Sequence, residues 1–308
     1  MLEKKITEQS EWCEPFTFIQ AADTQIGFSD DINWGGKGTG NWEIDAAHCW
    51  KLVENINKIK PTPKFLIICG DIVHAMPKGL IKYSDGGLLS SSKYSNYNSW
   101  KSQNKTFKNI IDNIKIPILY VCGNHDIGDR PTPISISFYE SLYGQHFYAK
   151  WLFGIRIIVI NSQLFNDSSD AQELQDKQEE WLIKELSMIK YKKPKHAIIF
   201  QHQPWFINNE DEDTGYYNIR KEIRKIWLPR FKESGIKKIF CGHYHRNSTV
   251  LTNDKKLEII TTSAVGKQLS QNEVNYNKSF EKDISDINPG MRVIRINDNI
   301  NHNYYTFV

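Results

Sequence analysis

The stretch KIFCGHYH (Lys238–His245) is a short apolar run that ends in a glycine and two histidines. Ile239, Phe240 and Cys241 have the character of a buried strand, and Gly242 lets the chain turn tightly where that strand stops. The same arrangement recurs in FLIICGD (Phe65–Asp71), ILYVCGNHD (Ile118–Asp126), AIIFQH (Ala197–His202) and FTFIQAADTQ (Phe16–Gln25). Each run opens onto side chains of metal-ligand type: Asp23 and Gln25, Asp71, Asn124, His202, and His243 with His245. In an open α/β sheet the carboxyl ends of neighbouring strands converge on one edge, where ligands bind. A lone His or Asp at a strand end is most often a satisfied polar residue. Seven donors at five strand ends are a pattern that packing does not explain. Their mixture of oxygen and imidazole nitrogen suits Mn²⁺, Zn²⁺ or Fe better than Mg²⁺ or Ca²⁺ alone.

Outside these runs the sequence is that of a globular chain. Its 308 residues are long enough for one large domain that buries about 75% of the surface exposed on unfolding. Lys and Arg number 39 against 36 Asp and Glu, a balance of +3 too mild to announce a nucleic-acid or anionic-membrane partner. The apolar runs are strand-sized, far short of the ~20 residues that cross a bilayer. The N-terminal MLEKKITEQSEW has charge where a signal peptide needs an apolar stretch. The cysteines (Cys13, Cys49, Cys69, Cys122 and Cys241) are odd in number and form no CxxC pair, so buried free thiols and a reducing, cytoplasmic compartment are expected.

Further apolar runs at Ile155–Ile160, Leu257–Thr262, Met291–Ile296 and Tyr304–Val308 read as strands, the later ones close enough together for antiparallel pairing. Two stretches have helical spacing: Glu43–Ile59, with Ala46, Ala47, Trp50, Val53 and Ile56, and Glu173–Ile189, with Leu174, Trp181, Leu182, Leu186 and Ile189. Together they predict an α/β core of two sheets covered by helices. Three irregular segments interrupt it: the Gly-rich Asn33–Trp42, a polar tract at about 76–105, and the acidic Asn208–Asn218. Gly36-Lys37 lacks the spacing and the Ser or Thr of a P-loop. No shift of composition divides the chain, so residues 1–308 are expected to form a single domain with the polar tract as a loop insertion.

With Asp23-Thr24-Gln25, Gly70-Asp71, Gly123-Asn124-His125-Asp126, His202 and Gly242-His243-Tyr244-His245 in that order, the chain resembles the calcineurin-like metallophosphoesterases. The resemblance implies a four-layer α/β/β/α sandwich of two mixed sheets flanked by helices. It also implies two metal ions, divalent or of mixed valence: one held by Asp23, Gln25, Asp71 and His245, the other by Asp71, Asn124, His202 and His243. Further stretches, including GNHDIGDRPT (Gly123–Thr132), QHQPWF (Gln201–Phe206), TTSAVGKQL (Thr261–Leu269) and PGMRVIRI (Pro289–Ile296), resemble a cytoplasmic subfamily of serine/threonine phosphatases. There are two departures from the wider family. Gln25 stands where His is commoner, and neither the GDxxDRG signature nor the Arg before GNH is present, since Tyr120-Val121-Cys122 precedes the latter.

The expected activity is metal-dependent hydrolysis of phosphomonoesters, with a phosphoprotein as substrate and a hydroxide bridging the metals as nucleophile. His125 is the expected general acid, its ring oriented by Asp126 or another carboxylate. Arg246, Asn247 and His74 are candidate contacts to the substrate phosphate, and Arg130 a weaker one. The acidic loop reads as a solvated surface, and His48, His146, His196 and His302 as ordinary surface or helix residues. A phosphodiesterase or nucleotide phosphohydrolase is the rival enzyme, since one such centre serves diesters too. The other rival is a scaffold that has kept the fold without turnover. No stripe of basic and aromatic residues for tracking a nucleic-acid strand is visible. The sequence leaves the metal identities and the oligomeric state open.

Overall fold

The computed structural model describes residues 6–12, 14–33, 39–76, 97–269 and 288–307. Its first sheet is built on three parallel strands, β1 (Phe16–Ala21), β2 (Leu66–Cys69) and β3 (Ile118–Val121), with Ile19 opposite Leu66 and Leu66 opposite Ile118. The antiparallel pair β10 (Gly290–Ile296) and β11 (Ile300–Thr306) extends it beyond β1, giving the order β11-β10-β1-β2-β3. The second sheet has the order β4-β5-β6-β7-β9-β8. Its parallel centre is β5 (Ile155–Val159), β6 (Ala197–Phe200), β7 (Lys238–Cys241) and β9 (Glu258–Thr261), and its edges are the antiparallel β4 (Tyr148–Leu152) and β8 (Ser248–Leu251).

Period-two alternation sends each strand's side chains into two different cores. Phe16 and Phe18 of β1, Ile67 and Cys69 of β2, Ile157 and Val159 of β5, and Phe200 of β6 meet between the sheets. There Phe18 stacks on Phe65 with ring centroids 4.5 Å apart. Ile19, Ala21, Leu66 and Ile68 point outward onto α2 (Glu43–Lys58), α3 (Tyr97–Ile111) and α5 (Pro133–Tyr143). On the far side, Ile158, Ile199 and Ile239 pack against α6 (Ser162–Asn166), α7 (Gln172–Lys192) and α8 (Lys221–Ser234). The result is the four-layer sandwich of two mixed sheets flanked by helices. Burying each such side chain contributes roughly 1.5–3 kcal/mol.

Several local expectations are corrected. The buried face of α2 is Asp45, Cys49, Leu52, Val53 and Ile56, while Trp50 is 43% exposed. Asp45 lies on the core side because its carboxylate accepts from the N–H groups of Gly27 and Ser29. Of the polar tract at 76–105, residues 77–96 lie outside the described residues, and the rest from Tyr97 onward is helical. The apolar face of α3 comes mostly later, at Phe107, Ile110 and Ile111, which leaves its first turns looking like loop. Cys13 is outside the described residues; Cys49, Cys69, Cys122 and Cys241 are buried free thiols. Among the described residues no helix is long and apolar enough to cross a membrane.

Candidate metal centre

The loops after β1 and β2 run side by side. The N–H of Asp23 donates to Gly70 O at 3.1 Å and that of Gln25 to Asp71 O at 2.9 Å, and Ile26 bridges Val73. Backbone conformation marks the edge as unusual. Asp23 (φ 50°), Gln25 (31°), Asp71 (53°), His243 (67°) and His245 (56°) all have positive φ. For residues with a Cβ this region costs of order 1–3 kcal/mol each and persists only where surrounding structure imposes it. Gly242 is required by close approach, because a Cβ there would sit 2.5 Å from Asp23 Oδ2. The Asp23 carboxylate instead accepts the N–H of His243 at 2.9 Å, tying the end of β1 to the end of β7.

The seven donors named from the sequence are brought together, each at most 4% exposed. Asp71, His202 and His243 form one group and Asp23, Asp71 and His245 another, the ligand atoms within each lying within 4.8 Å of one another. Asp71 belongs to both. His202 Nε2 is 3.3 Å from Asp71 Oδ1 and 3.1 Å from Asn124 Oδ1, and His245 Nε2 is 3.4 Å from Asp23 Oδ1. Gln25 lies at the same centre, its Nε2 3.5 Å from Asp71 Oδ2.

Main-chain carbonyls fix the imidazoles. A carbonyl oxygen only accepts, so the ring nitrogen facing it carries a proton, and the other is the one left to present a lone pair whenever the ring is neutral. His202 Nδ1 donates to Cys69 O at 2.8 Å, His243 Nε2 to Tyr216 O at 3.1 Å, and His245 Nδ1 to Lys267 O. His125 follows the same rule, its Nδ1 donating to His74 O at 2.6 Å. This corrects the role expected of Asp126. Its carboxylate accepts from the N–H groups of Asp71, Ile72 and Gly123 at 2.8–3.0 Å, so it clamps two ligand loops rather than orienting the His125 ring.

The candidate phosphate contacts separate. Asn247 Oδ1 accepts from Arg292 Nη2 at 2.9 Å and from the N–H of Ser263 at 3.2 Å, which makes it a strut of its loop. The His74 ring is 5% exposed and packs between Phe28 and His125. Arg246 is half-buried beside His245, and Arg130 pairs with Asp170 at 3.0 Å. His146 is 5% exposed and so not a surface residue. The acidic loop is internally tied, with Glu212 accepting from the N–H groups of Ile207 and Asn208. It also delivers two residues the sequence reading passed over, Tyr216 and Tyr217, whose rings lie 5.0 and 5.6 Å from His243. A pair of aromatics in an otherwise polar, acidic stretch was the available signal.

The residues fit a pair of metal ions. Gln25 Oε1 is buried with no hydrogen-bond partner, an orphaned hard donor at the centre. The two carboxylates draw positive charge. Although burial disfavours its charged form, the Asp71 carboxylate raises His202 to about 10. Burial and the neighbouring His202 charge then push His243 down to about 3. For His245, burial is outweighed by Asp23, and the ring is shifted upward.

A family model described as calcineurin-like phosphoesterase matches residues 16–247, and the chain belongs to that family of phosphoester hydrolases with dimetal centres. Two relatives, from Danio rerio and Homo sapiens, are each named serine/threonine-protein phosphatase CPPED1. The first is 34% identical, with 97% of this chain and 87% of the relative covered. The second is 32% identical, with 97% and 86% covered. The crystal structure of a dimetal phosphatase from Danio rerio shares the fold at a TM-score of 0.62 and 13% identity, covering 96% of this chain and 98% of that one.

Proposed function

We propose that this chain is a phosphomonoesterase acting on phosphoserine and phosphothreonine in proteins. The observation that carries the reading is the complete convergent donor set, with His125 beside it, in a chain similar almost end to end to serine/threonine phosphatases. Asp23, Gln25, Asp71 and His245 would hold the first ion, and Asp71, Asn124, His202 and His243 the second. The nitrogen content favours Mn²⁺, Fe or Zn²⁺, and the neutral amide of Gln25 makes the first site less attractive to softer ions than an imidazole would. Such a pair supplies Lewis-acid stabilisation of phosphoryl charge and acidifies bound water to a pKa of about 7.

The rest falls to the chain's own groups. His125 exchanges its proton at Nε2, because Nδ1–H is committed to His74 O. In its charged form it protonates the leaving seryl or threonyl oxygen. Arg246, next to His245, is the proposed contact to the substrate phosphate, its planar fork matching phosphoryl oxygens. The whole chain acts as one domain, and four buried free thiols favour a reducing, cytoplasmic compartment.

The test is to strip the protein with a chelator, restore Mn²⁺, and compare a phosphoserine peptide with a bis(aryl) phosphodiester. Metal-dependent release favouring the peptide is expected. Preference for the diester would put phosphodiesters and nucleotides first, and no metal-dependent release from either would favour a scaffold.

A further inference from the structure

One loop lies against the candidate second metal site without supplying any of its ligands. Residues 208–218 leave the second sheet after β6 and are held in shape by their own side chains. Glu212 gathers N–H groups at the loop's start, and Asn218 accepts from the N–H of Gly215 at 2.8 Å while donating to Glu212 Oε1 at 2.6 Å. Gln203 Nε2, next to His202, donates to the carbonyls of Tyr216 at 3.0 Å and Asn218 at 3.2 Å. Tyr216 is thereby placed against the site from two sides.

Its main-chain oxygen receives the Nε2–H of His243, which commits Nδ1 to the centre. Its phenol oxygen accepts from Asn124 Nδ2 at 3.3 Å. An amide NH₂ only donates, so the Tyr216 hydroxyl holds that end of Asn124 and leaves its oxygen turned toward His202 Nε2. The Tyr216 ring packs on His243. Tyr216 therefore touches two of the four donors of one site, whereas His245, of the other, is set by Lys267 O.

We propose that Tyr216 is a positioning residue for the second metal site, its hydroxyl fixing the orientation of Asn124 and its carbonyl the tautomer of His243. The proposal rests on the ligand assignment above. Partners of this kind, one bond removed from the metal, are worth about 10–100-fold in metal affinity.

The experiment is calorimetric titration of the metal-free protein with Mn²⁺, for wild type, Tyr216→Phe, His243→Ala and His245→Ala. Phenylalanine keeps the ring and the main chain and removes only the hydroxyl. In Tyr216→Phe the equivalent lost in His243→Ala should weaken by about 10-fold or more, while the equivalent lost in His245→Ala keeps its affinity. The Mn²⁺ concentration for half-maximal phosphatase activity should rise in parallel, with turnover regained at saturating Mn²⁺. A merely structural role would lower the melting temperature of the metal-free protein and weaken both equivalents alike, and that result overturns the proposal. So does wild-type affinity for both equivalents. If His243→Ala also binds both ions normally, the ligand assignment itself fails and the proposal falls with it. If His243→Ala loses one ion and Tyr216→Phe loses none, only this inference fails.

Discussion

At the scale of single residues, what distinguishes the four central histidines is the carbonyl each one faces. His125 shares the device through Nδ1 but stands outside both ligand groups, which suits its proposed role as proton donor through Nε2. His125→Ala should therefore leave metal content unchanged and lower turnover by about 10²–10⁴ with alkyl phosphates, less with aryl phosphates whose oxygens leave unprotonated. Metal analysis beside kcat for both ester types reads this, and loss of metal would recast His125 as a structural member of the site. The seven donors were legible in sequence because ligand type and strand end are both local features. The carbonyls of Cys69, His74, Tyr216 and Lys267 were not, since every residue carries one and only tertiary approach selects four. Asp126 was misread for a related reason. The sequence does not say which way that carboxylate turns, and the short helix α4 (Asn124–Ile127) turns it back onto the backbone of its own first turn and of the β2 loop.

At the scale of elements, the runs of the second sheet that are buried on both faces were legible and its two edges were not. β6 and β7 are near-continuous apolar runs, as parallel strands covered on both sides must be. β4 and β8 are edge strands of mostly half-buried or exposed residues, so YAKWL and STVL carry no comparable signal. The stripe of α2 was misjudged because a hydrogen-bonded Asp45 replaces an apolar residue on its inner face. Polar residues also join α7 to its sheet. Arg156 on β5 is held by Glu185 through Nε at 3.0 Å and Nη2 at 2.7 and 2.8 Å, the two side chains only 9% and 16% exposed. Glu185→Ala leaves the guanidinium buried without its partner and should cost about 3–5 kcal/mol. Urea unfolding measures it, and a change below about 1 kcal/mol, the size of an exposed pair, would show the pair to be solvated.

At the scale of the whole molecule, one contribution to the pH dependence of stability comes from the buried ring of His146, next to the start of β4. His146 Nδ1 accepts from Asn161 Nδ2 at 3.1 Å, while the residue's main-chain N–H donates to Glu140 Oε1 and its carbonyl accepts the Cys122 thiol. Nε2 lies 3.9 Å from Glu140, beyond hydrogen-bond reach. Burial prevails and lowers the ring from 6.5 to about 4. The unfolded chain therefore binds a proton in that window that the folded chain refuses. Stability from this group is intact above pH 6.5, falls as pH drops, and is lost near pH 4. At pH 5 the loss is about 2 kcal/mol, and His146→Gln should remove that part of the slope between pH 7 and pH 5 in urea unfolding. An unchanged slope would assign it to other groups.

The candidate metal centre lies at the seam between the two sheets. Asp23, Gln25, Asp71 and Asn124 come from the first sheet, and His202, His243 and His245 from the second. Beside them the buried Gln20 of β1 bonds across to Cys241 O at 3.0 Å and to Thr262 Oγ1 at 2.6 Å, so the sheets are already linked by a neutral amide. Ions bound there would hold the two sheets together by their ligands, and any ligand that prefers the folded state stabilises it by mass action. At a free metal concentration 100 times the dissociation constant, each site adds about 2.7 kcal/mol. Chelation should accordingly lower the melting temperature by several degrees, and added Mn²⁺ should restore it. In Asp71→Asn, where the carboxylate common to both ligand groups is gone, the melting temperature should respond little to either treatment. A wild-type melting temperature indifferent to chelator, or an equal response in Asp71→Asn, would place the metal elsewhere than the seam.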